Sequence, residues 1–342
     1  MTTLTLRLLR AGPHSTLQDG GRPATQRLGV SPAGAADPLA LAIANGLLGQ
    51  PPETAGIEST LCGDALRLEA GPGDEAACAL RVAVAGDVEV WLDGVRMQPW
   101  RTLTLRVGQV LDLGAVGAGA RCVLAVSGRL AVPRPLGSAS AHARSGLGFA
   151  AGRPLAAGDA LAVELRPQVG PDLALERGAW PRAEGPLRVL KGPHHGRFAD
   201  DALATLEAGP YRVGPVSDRM ALRLEGPLLR HRGAADIIST GVATGCLQVP
   251  GDGAPLLLLP DRQSTGGYAI AAVVIAADLW RLGQLRPGAA VSFAVVTAAE
   301  AARARQQRQL EEQGRRRALR PVSEGLFASN LIGGVWTGED EG

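Results

Sequence analysis

The 342-residue sequence predicts a mainly β fold with a few helices (α+β), divided into two lobes. Three observations carry this reading. Glycine and proline are abundant, at 46 and 24 residues, which favours short elements joined by turns over long helices. Apolar and polar residues alternate along several short runs, the period of a half-buried strand. The pattern Leu-x-x-Gly-x-x-apolar-x-apolar also recurs, at Leu105, Gly108, Leu111 and Leu113; at Leu155, Gly158, Leu161 and Val163; and at Leu285, Gly288, Val291 and Phe293. Each copy reads as a turn with glycine at positive φ feeding a strand, and such units suggest barrel or sandwich construction. The length gives room for two domains with real cores.

Element by element, Leu4, Leu6 and Leu8 mark a first strand, followed by a polar, glycine-rich loop over residues 12–37. Asp37 as N-cap, Pro38 at the first helical position and Leu39, Ile43 and Leu47 at helical spacing predict a helix, which Gly49 and Pro51-Pro52 end. Val82 and Val84, then Val88, Val90 and Leu92, alternate as strands, and Asp93-Gly94 predicts a tight hairpin before Val95 and Met97. Residues 167–186 hold proline, glycine and charge without periodicity and read as a linker. It separates an N-terminal β-rich lobe, 1–170, from a C-terminal β-barrel lobe, 187–300, that opens with the strand Leu187-Arg188-Val189-Leu190. Thr297 and Glu300 have capping-box spacing and open a charged helix reaching about Leu319, which with its tail forms a third unit, 301–342. In the tail, Leu326, Phe327, Leu331, Ile332 and Trp336 form a candidate docking set.

Composition narrows the function. Aromatic residues are only 3%, so Leu, Val, Ile and Ala must fill the cores. A net charge of +2 gives no concentrated basic surface for nucleic acid. No apolar run approaches a membrane span, and the start lacks the apolar stretch of a signal peptide, so the cytoplasm is the expected compartment. Cys62, Cys78, Cys122 and Cys246 lack zinc-site spacing. Adjacent His194-His195 point apart on an extended segment, so no metal is expected. Phosphate loop, GxGxxG, HExxH and GxSxG motifs are absent.

Two stretches combine glycines with groups suited to anions and amides. The first is Gln18-Asp19-Gly20-Gly21-Arg22, with Gln26-Arg27 close behind. The second is Asp261-Arg262-Gln263-Ser264-Thr265-Gly266-Gly267-Tyr268, with Ser239-Thr240-Gly241 and Gln248-Val249-Pro250 upstream. Glycines let backbone N–H groups approach a ligand, and arginine offers a planar fork for carboxylate or phosphate.

These strings carry a resemblance. With Gly34-Ala35-Ala36-Asp37, Glu58-Ser59-Thr60-Leu61-Cys62-Gly63, Gly192-Pro193-His194 and Asp218-Arg219-Met220-Ala221-Leu222-Arg223-Leu224, they extend over almost the whole chain to about residue 300. In that order they resemble the family of the 5-oxoprolinase C subunit, the Kip-type antagonist (KipA) and the second half of the urea-carboxylase carboxyltransferase domain, also called allophanate hydrolase subunit 2. The resemblance implies two cyclophilin-like β-barrel lobes. It also implies a joint active site with a KipI-like partner, the B subunit, and a third protein, the A subunit. Together these open 5-oxoproline to glutamate with ATP bound in the complex. In the carboxylase relatives the paired domain transfers a carboxyl group from carboxybiotin to urea. This chain shows no Met-Lys biotin site, since its sole lysine, Lys191, follows Leu190, so biotin would ride on another protein. The Kip-type relatives imply a third reading, a regulator that binds an inhibitor of a sensor kinase without chemistry. Thr240 stands where a glutamate is common in the family, His194 where a glutamine is, Ala269 where a proline is, and Gly148-Phe149 where Gly-Gly is usual.

With this family in view, both loops are expected to face one cleft near a partner. Asp261, Gln263 and Tyr268 are the catalytic candidates, with Tyr268 or Asp261 moving a proton. Asp19, Arg22, Arg219, Ser239, Gln248, Arg262, Thr265, Gly266 and Gly267 are the binding candidates. Arg219 or Arg262 would hold a carboxylate or phosphate, Gln263 and Gln248 an amide, and Gly266-Gly267 a developing oxyanion. Arg219 is equally readable as an arginine tying strands together, and Tyr268 as a phenol bonded at a barrel rim.

Overall fold

Strict alternation in the first strand decides how the N-terminal lobe closes. Thr3–Arg10 buries Leu4, Leu6 and Leu8, and the residues between them are only partly covered. The computed structural model describes residues 3–71, 79–166 and 171–322. In it this strand lies between Ala160–Leu165 and Ala65–Ala70 in a seven-stranded sheet. A second seven-stranded sheet faces the first. Leu4, Leu66 and Leu111 from one sheet meet Ile57, Val82 and Leu124 from the other in a shared core.

The second sheet is covered on both faces. Every residue of Arg121–Val126 is buried, and the outward Ala83, Ala85 and Ala125 are small enough for a helix to lie on them. That helix, α1 (Pro38–Leu47), supplies Ala40, Leu41 and Ala44. Asp37 caps it as expected, accepting from the N–H groups of Leu39 and Ala40, with Pro38 in the first turn.

Turn chemistry also follows the sequence. Asp93 and Gly94 have φ of 47° and 79° and join Val88–Leu92 to Val95–Met97. The three repeated glycines, Gly108, Gly158 and Gly288, have φ of 90°, 90° and 81°. Each precedes a strand, as the repeated pattern requires.

The C-terminal lobe is a nine-stranded sheet whose two ends come from one segment. Ala290–Val291 pairs with Tyr211–Ser217, while Phe293–Val295, one residue later, pairs with Leu187–Lys191. Both ends of the sheet path are therefore neighbours in the chain, and the sheet curls into a nearly closed barrel around Leu187, Val189, Tyr211, Leu247 and Phe293. The mainly β fold with barrel-like lobes is thus as expected. Asp236–Gly241 stands off this path and pairs only with Thr265–Val274. A short α2 (Ala202–Ala208) covers one end.

The stretch read as a linker holds structure of its own. Leu173–Leu175 forms a strand that pairs with Arg101–Arg106 and with Leu319–Pro321. α3 (Ala298–Arg317) opens with the expected capping box between Thr297 and Glu300. The strand beyond it returns the chain to the N-terminal lobe, so residues 301–322 are not a unit apart. A three-residue strand is too short to show periodicity, which is why the sequence hid it. The apolar set Leu326, Phe327, Leu331, Ile332 and Trp336 lies outside the described residues.

A methyl group added to Gly158 would meet open space, but the φ there is 90°; Gly178 has the same open space and no such φ. Gly158→Ala should therefore cost about 1 kcal/mol of stability through backbone strain alone. Gly178→Ala should leave it unchanged or slightly raised. Urea-denaturation midpoints of the two variants check the contrast.

Candidate functional site

Glu58, on the strand Gly56–Thr60, is 2% exposed and needs partners for its charge. Its Oε2 accepts from the N–H groups of Ala36 (2.7 Å) and Asp37 (3.3 Å). Its Oε1 meets Arg219 Nη1 and lies 3.6 Å from Arg121 Nε. Arg219 comes from the other lobe. It also donates from Nε and Nη2 to the two oxygens of Asp261, at 2.9 and 3.0 Å, and from Nη2 to Gly34 O at 2.6 Å. Burial works against the Arg219 charge, yet Asp261 and Glu58 outweigh it and raise its pKa above the ordinary arginine value.

Around this knot the two lobes exchange further bonds. Ser31 Oγ donates to Pro260 O (2.7 Å) and Gln26 Nε2 to Val242 O (2.9 Å). His142 Nε2 lies 3.4 Å from Asp261 O. Residues 26–37 are thereby tied to residues 242 and 260–261, which lie next to the two candidate stretches.

Their side chains divide into an inward and an outward group. Asp19 is 3% exposed and accepts from Ser138 Oγ (2.5 Å), Ser140 Oγ (2.6 Å) and Ala139 N (2.7 Å). Arg22, fully buried, donates to the carbonyls of Pro135, Ser138 and Ser140. Arg262, 4% exposed, donates to the carbonyls of Val242 and Pro260. Asp19, Arg22, Arg219 and Arg262 are thus buried and bonded to protein groups, each holding loops or lobes together. Arg219 clasps both carboxylate oxygens of Asp261.

The outward group sits on and beside the antiparallel pair of Asp236–Gly241 and Thr265–Val274, in which Asp236 faces Tyr268 and Thr240 faces Gly266. Gln263 Nε2 donates to Gln248 Oε1 (3.0 Å), and Gln248 Nε2 approaches Tyr268 O (3.4 Å). A Cβ on Gly266 would stand 2.4 Å from Gln248 Nε2, so only glycine lets the amide lie beneath this strand. Tyr268 is 40% exposed, and its hydroxyl makes no hydrogen bond among the described residues. Ser239 and Thr265 are exposed beside it, and Gly267 lies against Ile237 O and Ser239 Oγ. Gln263, Ser239, Thr265, Gly266, Gly267 and Tyr268 thus form one polar face, and Gln248, 1% exposed, supports it from beneath.

His194 joins this face, and sequence reasoning missed it by treating the histidine pair as a polar loop. Its Nδ1 accepts from Ile270 N (3.2 Å), which places the proton of the neutral ring on Nε2. Burial, then Arg197, pushes its pKa below the usual histidine value. The Gly-Pro-His string was the available signal.

Arg219 and Arg262, the side chains considered for a phosphate, are buried and bonded to protein acceptors. Among the described residues no three His, Cys, Asp or Glu side chains are grouped to hold a metal, and no helix is long and apolar enough to cross a membrane.

A family model for the carboxyltransferase domain, subdomains A and B, matches residues 28–295. The chain belongs to this family. It is 33% identical to the C subunit of 5-oxoprolinase from Escherichia coli over 89% of this chain and 95% of that protein. It is 30% identical to the counterpart in Haemophilus influenzae, with the same coverage. Urea amidolyase of Saccharomyces cerevisiae is 28% identical over 82% of this chain, which spans only 16% of that protein. Among solved structures, Kluyveromyces lactis urea amidolyase superposes with a TM-score of 0.82 at 25% identity, over 92% of this chain and 20% of that one.

For this carboxyltransferase-family chain, Arg219→Met strands Glu58 and Asp261 and should cost about 3–5 kcal/mol. Adding Glu58→Gln should recover part of the loss, both read by chemical denaturation. Asp37 gives a pH signature: burial pushes its carboxyl up to about 6, against hydrogen bonds from Gln284 and Ala40. The folded state therefore keeps this proton longer than the unfolded chain. Its contribution is full below about pH 4 and lost as pH rises through 6. Asp37→Asn should flatten stability against pH across that window.

Proposed function

We propose that this chain is the C-type subunit of an ATP-dependent 5-oxoprolinase, a complex that opens the cyclic amide 5-oxoproline to glutamate. The observation that carries the reading is correspondence along nearly the whole length of both proteins: the chain spans 95% of the Escherichia coli relative but 16% of the yeast urea amidolyase. The polar face agrees with it. A glutamine, a tyrosine and hydroxyl groups are chemically matched to a lactam N–H and C=O. ATP is assigned to the other members of the complex.

A second polypeptide, the KipI-like B subunit, completes the site. Ile238 is 95% exposed on the strand that stands off the barrel, beside Tyr268 and Ser239. An isoleucine so bare next to the polar face is a natural contact for that partner. The A subunit would then join the assembled pair.

Carboxyl transfer to urea is the second reading, favoured by the family model itself. It requires a biotinylated carrier protein.

The test is glutamate release from 5-oxoproline and ATP by the reconstituted complex, with and without this chain. Omission should abolish release, and Gln263→Ala or Tyr268→Phe should lower turnover roughly tenfold or more by removing a polar contact. Ile238→Arg should weaken association with the KipI-like partner while leaving the isolated chain's melting temperature unchanged. Turnover that is indifferent to all three variants, or carboxylation of urea in place of glutamate release, defeats the proposal. Binding to the KipI-like partner without any turnover supports the regulatory role instead.

A further inference from the structure

A cavity of about 780 Å³ lies between the lobes, walled on one side by residues 177–185, and none of the polar-face residues described above lines it. We propose that it is a binding site for a planar aromatic carboxylate.

The walls are the first argument. The chain has only five tryptophans, and Trp100, Trp180 and Trp280 all line this one cavity. Each ring is fixed from behind. Trp180 Nε1 donates to Leu175 O at 3.0 Å. Trp100 is held at a φ of 60° by backbone bonds to Val84 and Leu175, of 2.7 and 2.8 Å. Trp280 has Arg308 stacked 4.9 Å from its ring centre. Trp100 and Trp180 stand 6.2 Å apart at 38°, a tilted pair of flat apolar surfaces. Such walls favour a flat ring, which gains both buried area and ring–ring contact.

Unspent hydrogen-bonding capacity is the second argument, and it has a sign. The indole N–H groups of Trp100 and Trp280 donate to nothing among the described residues. Arg177 lies 5.5 Å over the Trp180 ring and has no carboxylate partner among the described residues. Arg281 is spent on the protein itself, donating to the carbonyls of Pro186 and Gly185 and lying 3.5 Å from Asp278. The carboxylates at the cavity are already engaged. Asp37 caps α1 and accepts from Gln284, Asp87 accepts from Ala118 N at 2.7 Å, and Glu184 lies 3.7 Å from Arg182. The surplus is of donors, which calls for an anion. One free guanidinium and a few N–H groups suit a monoanion. A polyphosphate would meet Asp87 and Glu184 with like charge.

The experiment is calorimetric titration of the full chain with 1-naphthoate as the probe, beside 2-naphthalenemethanol, which lacks the charge, and cyclohexanecarboxylate, which lacks the flat ring. The expected result is saturable one-site binding of 1-naphthoate and at least about tenfold weaker binding of both controls. Arg177→Gln, at an exposed side chain that only stacks, should weaken 1-naphthoate by at least about tenfold with an unchanged melting temperature. Arg67→Gln, exposed on the other side of the N-terminal sandwich, should bind like the parent. Absence of saturable binding, equal binding of either control, or an Arg177→Gln variant that binds as well as the parent would overturn the proposal.

Discussion

The structure depends on one buried arginine. Arg219 reaches from the C-terminal barrel into the N-terminal lobe and satisfies Glu58, Asp261 and Gly34 at once. Buried charges are stable only when every lone pair and proton finds a partner, so this knot tolerates few relative positions of the two lobes. The loops that carry the candidate motifs are attached to it directly: residues 31–37 through Gly34, Ala36 and Asp37, and residues 260–263 through Asp261. Both are held in register because the same guanidinium and carboxylate hold them.

That constraint explains why so many charged residues of the family motifs are buried on protein partners. Asp19 gathers the serine hydroxyls of residues 138 and 140, Arg22 gathers three carbonyls, and Arg262 bridges two loops. Around a barrel with short connections, the backbone groups of loops need partners, and buried polar side chains provide them. Gln263, the bare Tyr268 hydroxyl and His194 lie on and beside the antiparallel pair of Asp236–Gly241 and Thr265–Val274.

Turn positions, the capping of α1 and α3, and the alternation of the first strands were legible because each depends on local geometry. Asp37-Pro38, Asp93-Gly94, Thr297 with Glu300, and the glycines at 108, 158 and 288 each answer to a backbone requirement met within a few residues. Motif order was legible too, and with it the family. The short strand Leu173–Leu175 was not, since its place is decided by partners more than sixty residues away.

The sequence by itself determined the mainly β architecture, the turns and caps, and the pairing of two glycine-containing polar stretches with one family. Only the tertiary structure decided which of their side chains face outward. Residue type states what a group can bond; whether it is spent on a carbonyl across the lobe boundary or left at the rim depends on the direction of its Cα–Cβ bond and the depth of its burial. Those are properties of the packed chain, and Arg22 and Gln263, alike in promise on paper, part company there.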